Sequence, residues 1–156
     1  MATRQLRFND DSILRKKCKT ITTVDDKIRQ ILDDMMDTLH ETENGAALAA
    51  NQVGLLKRLV VIDYESYYLK LVNPQIIGQS GVQECIEGCL SFPDIFGKTI
   101  RPQKVTIQSL DENGKEIILT VEGEMAKCLC HEIEHLDGEV FIDKITEFID
   151  NLLSYL

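Results

Sequence analysis

The chain has 156 residues, 44% of them hydrophobic, with 17 Lys and Arg against 26 Asp and Glu and a formal net charge of −9 at pH 7. That length holds one domain, expected to span 1–156, with a core large enough to need neither disulfides nor a structural metal. The negative balance excludes a domain that grips nucleic acid through a basic face; no apolar run reaches membrane-spanning length and MATRQLRFNDDS lacks the apolar core of a signal peptide, so a soluble, cytoplasmic protein is expected.

The charge is uneven: residues 1–20 hold six Lys and Arg (Arg4, Arg7, Arg15, Lys16, Lys17, Lys19) against Asp10 and Asp11. Such a run is a solvated segment or a contact for a phosphate-rich partner. The first helix is predicted from about Val24 to His40, where Ile28, Ile31, Leu32, Met35 and Leu39 recur at helical spacing and Thr23 with Asp26 resembles a capping box. After NGAALAANQVG come two β-rich runs, Arg58 to Asp63 and Tyr67 to Asn73, the second closed by Pro74. Lys104 to Leu110 and Glu116 to Val121 flank DENGK, whose Asn113-Gly114 pair signals a hairpin. A second helix is predicted from near Gly123 to just before Gly138, which suits the C′ position, and a short amphipathic helix from Thr146 to Tyr155. The order helix, strands, helix gives an α+β domain.

The five cysteines (Cys18, Cys85, Cys89, Cys128, Cys130) are an odd number with no secretory context, so they read as reduced thiols. The second helix carries His131-Glu132-Ile133-Glu134-His135. Histidines four apart lie one turn above each other, ~6 Å along the axis, and both imidazoles can reach one ion. A glutamate beside the first of them can take a proton from water at that ion. A catalytic metal needs a third protein ligand and an open position. No histidine follows the motif, and Glu139 and Asp143 fall at no useful spacing, whereas Glu87-Gly88-Cys89-Leu90-Ser91 upstream offers a thiolate. A closed Cys-rich structural zinc site using Cys85, Cys128 and Cys130 is the competing arrangement.

Three segments in order, GAALAANQ (45–52), EGCLS (87–91) and HEIEH (131–135), resemble the motifs of the peptide deformylases, roughly G-x-G-L-A-A-x-Q, E-G-C-L-S and H-E-x-D-H. Weaker similarity covers ILRKK, QVG before a strand and HLDG, so the resemblance spans nearly the whole chain. It implies antiparallel strands packed around a central metal-binding helix. It implies a hydrolase that removes the formyl group from the formylmethionine of nascent polypeptides. Carried over position by position, Cys89, His131 and His135 would bind the metal and Glu132 would be general base and acid. Gln52 and the backbone N–H of Leu90 would polarise the formyl oxygen, and Gly45, Ala47, Leu48, Glu87 and Gly88 would line the substrate. The metal implied is Fe2+, with Zn2+, Ni2+ or Co2+ able to substitute; a monomer with transient ribosome contact, no membrane and no specific nucleic acid partner is expected.

Three departures from the family pattern bear on the site. Ala47 stands where the pattern has its second glycine, tolerable unless the position needs a positive φ. Glu134 replaces an aspartate and could shift the support of a ligand. Glu124 and Lys127 fall on the side of the helix that carries His131, making part of the rim polar if that side borders the substrate pocket. Two other functions fit parts of the sequence: a deformylase-like protein that only binds N-termini, and a zinc endopeptidase.

Overall fold

A computed structural model describes residues 2–150. Among these residues two α-helices, α1 (Asp26–His40) and α2 (Glu124–Leu136), accompany eight strands: β1 (Ala47–Ala49), β2 (Leu59–Tyr64), β3 (Tyr67–Ser80), β4 (Gln83–Cys89), β5 (Phe92–Arg101), β6 (Lys104–Leu110), β7 (Glu116–Glu122) and β8 (Glu147–Phe148). The pairings between these strands are antiparallel, in a five-stranded sheet of order β1-β2-β3-β6-β7 and a three-stranded sheet of order β4-β5-β8. This is the α+β arrangement expected, with strands around the helix that carries HEIEH.

Strand alternation explains the layering. In β2, Val60 and Ile62 turn to one side and pack with Met125, Ala126, Leu129 and Leu136 of α2. Leu59 and Val61 turn to the other and meet Ile31, Leu32 and Met35 of α1. The large sheet is therefore covered by one helix on each face, and α2 lies between it and the smaller sheet. Each fully buried Leu, Ile or Val of these layers stabilises the fold by roughly 1.5–3 kcal/mol.

Four local expectations need correction. Helix α1 starts at Asp26, and its N-cap is Asp25, whose carboxylate accepts from the Ile28 N–H at 3.0 Å, rather than Thr23. Strand β3 does not close at Pro74 but runs to Ser80, because the pairing with β6 slips between Val72 and Gln75 and the irregularity absorbs the N–H that proline lacks. Strands β4 and β5 were not predicted. The C-terminal helix is not formed at its start: Glu147 and Phe148 pair with Lys98 and Gly97 of β5, while 151–155 lie outside the described residues.

The predicted hairpin forms, with Leu110 opposite Glu116 and the Asp111 carboxylate accepting from the N–H groups of Asn113 and Lys115. Helix α2 begins after Gly123 and ends with Asp137 as C-cap. Gly138 follows at φ 77°, and a Cβ there would lie 2.5 Å from the Arg15 carbonyl oxygen, so both backbone and space demand glycine.

Candidate active site

Helix α2 supplies His131, Glu132 and His135, and the hairpin of β4 and β5 supplies Cys89. That hairpin turns through Leu90 and Ser91, with Cys89 opposite Phe92. The ligand-type atoms of Cys89, His131 and His135 lie within 4.8 Å of one another, and Cys89 Sγ is 3.4 Å from His135 Nε2. Such spacing suits a single ion with metal–nitrogen bonds of ~2.0–2.1 Å and a metal–sulfur bond of ~2.3 Å. Cys18, Cys85, Cys128 and Cys130 are free thiols outside this group among the described residues, so no Cys-rich cluster assembles.

The imidazole of His131 is fixed on several sides. Its Nδ1 lies 2.8 Å from Oε1 of Glu87, and its ring stacks on Phe141 at 5.5 Å between centroids. Glu87 is 2% exposed and accepts from the Arg101 guanidinium at 2.6 and 2.9 Å and from the Thr99 hydroxyl. Burial works against its charge, but the His131 and Arg101 bonds outweigh burial and hold the Glu87 carboxyl well below the usual range. Arg101 in turn donates to Glu134 at 2.8 Å. Glu134, the position at which the support of a ligand was expected to shift, holds Arg101, which holds Glu87 against His131, so its support reaches the histidine at two removes. Glu87, expected to line the substrate, does border the cavity, and its carboxylate is also engaged by His131 and Arg101. Arg101 and Thr99 escaped sequence reasoning altogether, since nothing near them marks a motif.

Electrostatics around the histidines favour a cation. Burial opposes a charged His131, yet the Glu132 carboxylate and the bonds with Cys89 and Glu87 raise it well above the ordinary histidine range. His135 is held well below that range by burial and then by His131. Glu132 is 6% exposed, and burial pushes its carboxyl up to about 7 against the attraction of His131. Its Oε1 is buried without a hydrogen-bond partner among the described residues, an orphan acceptor beside three converging ligand atoms. A soft sulfur donor and two imidazoles beside the Glu132 carboxyl fit a divalent transition metal.

Gln52 sits in the short 3-10 helix Ala50–Val53 and is 1% exposed. Its Oε1 accepts from the Ala49 N–H at 2.9 Å, which orients the amide so that Nε2 faces Ser91 Oγ at 3.2 Å and Cys89 Sγ at 3.4 Å. Ser91, which follows Cys89 and Leu90 in the EGCLS segment, thereby helps to hold the amide.

A cavity of about 450 Å³ opens onto these groups, and Gly45, Ala47, Gly88 and Leu90 are in its wall with Gln52 and Cys89. Ala47 belongs to the extended strand β1 and has no positive φ, so its methyl causes no backbone strain. A Cβ on Gly88 would lie 2.6 Å from the Phe96 ring, which explains glycine there. Leu48 is the exception: strand alternation turns its side chain away from the cavity into the core under α1. Glu124 and Lys127 do border the cavity, so the polar rim exists.

Residues 4–150 match the family model described as polypeptide deformylase. The chain is 60% identical over 149 residues to "Peptide deformylase 2" of Clostridium acetobutylicum, covering 96% of this chain and 99% of that one. It superimposes on the crystal structure of the peptide deformylase from Thermotoga maritima with TM-score 0.90 and 31% identity, covering 94% of this chain and 99% of that one. Similar agreement holds for the Synechococcus elongatus peptide deformylase in complex with actinonin, with TM-score 0.89, 36% identity and 98% and 82% coverage.

Proposed function

The chain belongs to the polypeptide deformylase family, and from that premise we propose that Cys89, His131 and His135 are its metal ligands, Glu132 its general base and acid, and Gln52 with the Leu90 N–H its polarising donors. It is a metal-dependent hydrolase that removes the N-formyl group of new polypeptides and releases formate. The observation that carries the residue assignment is the convergence of three ligand atoms within 4.8 Å beside the buried, unpartnered Oε1 of Glu132.

When bound, the ion supplies Lewis acidity at the reacting centre. Ferrous iron is the ion we assign, with Zn2+, Ni2+ or Co2+ able to substitute. The chain does the rest. Glu87, locked by Arg101, accepts a hydrogen bond from the Nδ1–H of His131 and leaves Nε2 free as a ligand. Glu132 accepts a proton from the attacking water at Oε1 and passes it to the departing amine nitrogen. Gln52 Nε2 and the Leu90 N–H donate to the formyl oxygen as negative charge grows on it, and one such donor is worth roughly 2.7–4 kcal/mol in the transition state.

The substrate is the formylmethionyl end of a nascent chain, seated in the cavity along Gly45, Ala47 and Gly88. We assign the activity to one domain over 1–156, acting as a cytoplasmic monomer. Among the described residues no helix is long and apolar enough to cross a membrane. Transient ribosome contact would fall on exposed Lys16, Lys17 and Lys19, because Arg4, Arg7 and Arg15 are already paired with Asp34, Asp11 and Asp143. The test is formate release from a formyl-Met peptide, with and without a chelator, beside cleavage of an unformylated peptide. Chelator-sensitive formate release alone supports the assignment. Internal cleavage would make the protein an endopeptidase, and binding without turnover a recognition protein.

A further inference from the structure

Helix α2 carries more than the metal-site residues into the cavity: Cys128, Lys127 and Glu124 lie three, four and seven residues before His131 and border the same space. Moving along this face away from His131, a substrate side chain would pass the Cys128 thiol and then the Lys127 stem, with Tyr64 and Phe96 also in the wall. At a rise of ~1.5 Å per residue, Lys127 stands ~6 Å along the axis from His131, about the reach of a methionine side chain.

The Lys127 ammonium is fixed. It pairs with Glu124 Oε2 at 2.7 Å and donates to the Ile86 carbonyl at 3.2 Å, tying α2 to strand β4 across the cavity wall. Only 19% of the lysine side chain is exposed, whereas 61% of the Glu124 side chain is, so the lysine lies inside its partner. An ammonium has three hydrogens. Two have acceptors at Glu124 and Ile86, and the third has none among the described residues. The cation that braces α2 against β4 thus keeps one donor beyond that bracing, on a residue that lines the cavity.

Resting on the deformylase reading, we propose that Lys127 is a specificity-determining residue that lets the pocket take a first side chain ending in a hydrogen-bond acceptor, methionine sulfoxide being the substrate it fits. The sulfoxide keeps the length of methionine and adds one strong acceptor oxygen. In an apolar pocket that oxygen would be desolvated without a partner, costing roughly ten- to hundredfold in kcat/KM. Lys127 supplies the partner. Glu124 and Ile86 hold the ammonium in place, so little side-chain freedom is lost when the bond forms.

The metal-loaded enzyme is assayed for formate release on three peptides alike except at the first residue: formylmethionyl, formylnorleucyl, and formylmethionine sulfoxide. Norleucine matches the length and lacks the acceptor, so the sulfoxide-to-norleucine ratio of kcat/KM is the readout. In the wild-type protein the two should agree within about tenfold, and Lys127→Met should lower the ratio by about tenfold or more, mainly through KM. Lys127→Arg, which keeps a charged donor, should retain most of the ratio. A ratio unchanged in Lys127→Met overturns the proposal, as does a wild-type enzyme that disfavours the sulfoxide more than about a hundredfold, which needs no variant to fold. Failure to release formate from any of the three peptides would instead overturn the deformylase reading on which the proposal rests.

Discussion

Oε1 of Glu87 lies 2.8 Å from Nδ1 of His131, so a strand residue decides which nitrogen of a helix histidine faces the metal site. Glu87 holds its charge because Arg101 sits against it, and the pair is buried, with side chains 1% and 4% exposed.

Glu87→Gln should destabilise the metal-free protein by roughly 3–5 kcal/mol at pH 7, since Arg101 loses its main buried partner. The folded state holds Glu87 below its ordinary range, while the unfolded chain titrates near ~4.3. The stabilisation is therefore present above that unfolded value and is lost as pH falls toward the folded one. Urea unfolding of both proteins with chelator at pH 7 and pH 3.5 should show the gap narrowing at the lower pH. A gap of equal size at both would mean that the Glu87 charge is not its source.

Glu132→Gln should retain the metal and lose activity by roughly 10²–10⁴-fold. The amide preserves shape but carries no proton, and Glu132 is not among the three converging ligand atoms. Metal analysis and formate release on the same preparation decide it. Retention of a tenth of the wild-type turnover would remove Glu132 as the base.

Cys89→Ala should lose metal on dialysis, whereas Cys85→Ala and Cys130→Ala should keep it. Cys89 alone of the cysteines joins the histidine group, while Cys85 and Cys130 are buried elsewhere, with burial raising both thiols. Metal content per protein after dialysis is the measure, and equal loss in all three variants would return the Cys-rich site to consideration.

Anaerobic preparations should contain iron and release formate fastest, and preparation in air should lower both. Zinc binds such a donor set more tightly than ferrous iron, but the thiolate donates charge and makes zinc a weaker activator. A thiolate beside ferrous iron is open to oxidation. Iron content, zinc content and formate released per metal are compared between the two preparations. A zinc form as fast as the iron form, with no effect of air, would sink the iron assignment and leave the deformylase function standing.

The sequence by itself determined what local chemistry writes down. HEIEH at helical spacing put two imidazoles on one side of α2, the EGCLS segment offered a thiolate, and Asn113-Gly114 marked the hairpin, because each depends on residues close together in the chain. The spacing of Glu124 and Lys127 from His131 also placed them on the site side of the helix. Only the tertiary structure decided what Glu87, Glu134 and Leu48 do. Glu87 reads as a motif residue beside the substrate, and pairing of β4 with β5 also brings its carboxylate to Arg101 and His131. Glu134 lies between the two histidines in sequence, yet helical rotation sends it to Arg101. The same pairing explains why β4 and β5 were invisible beforehand: polar residues such as Glu87, Thr99 and Arg101 occupy their buried face, so the alternation that normally announces a strand is missing. Buried charge is stable there only because each partner comes from a distant part of the chain, and that is information no local window contains.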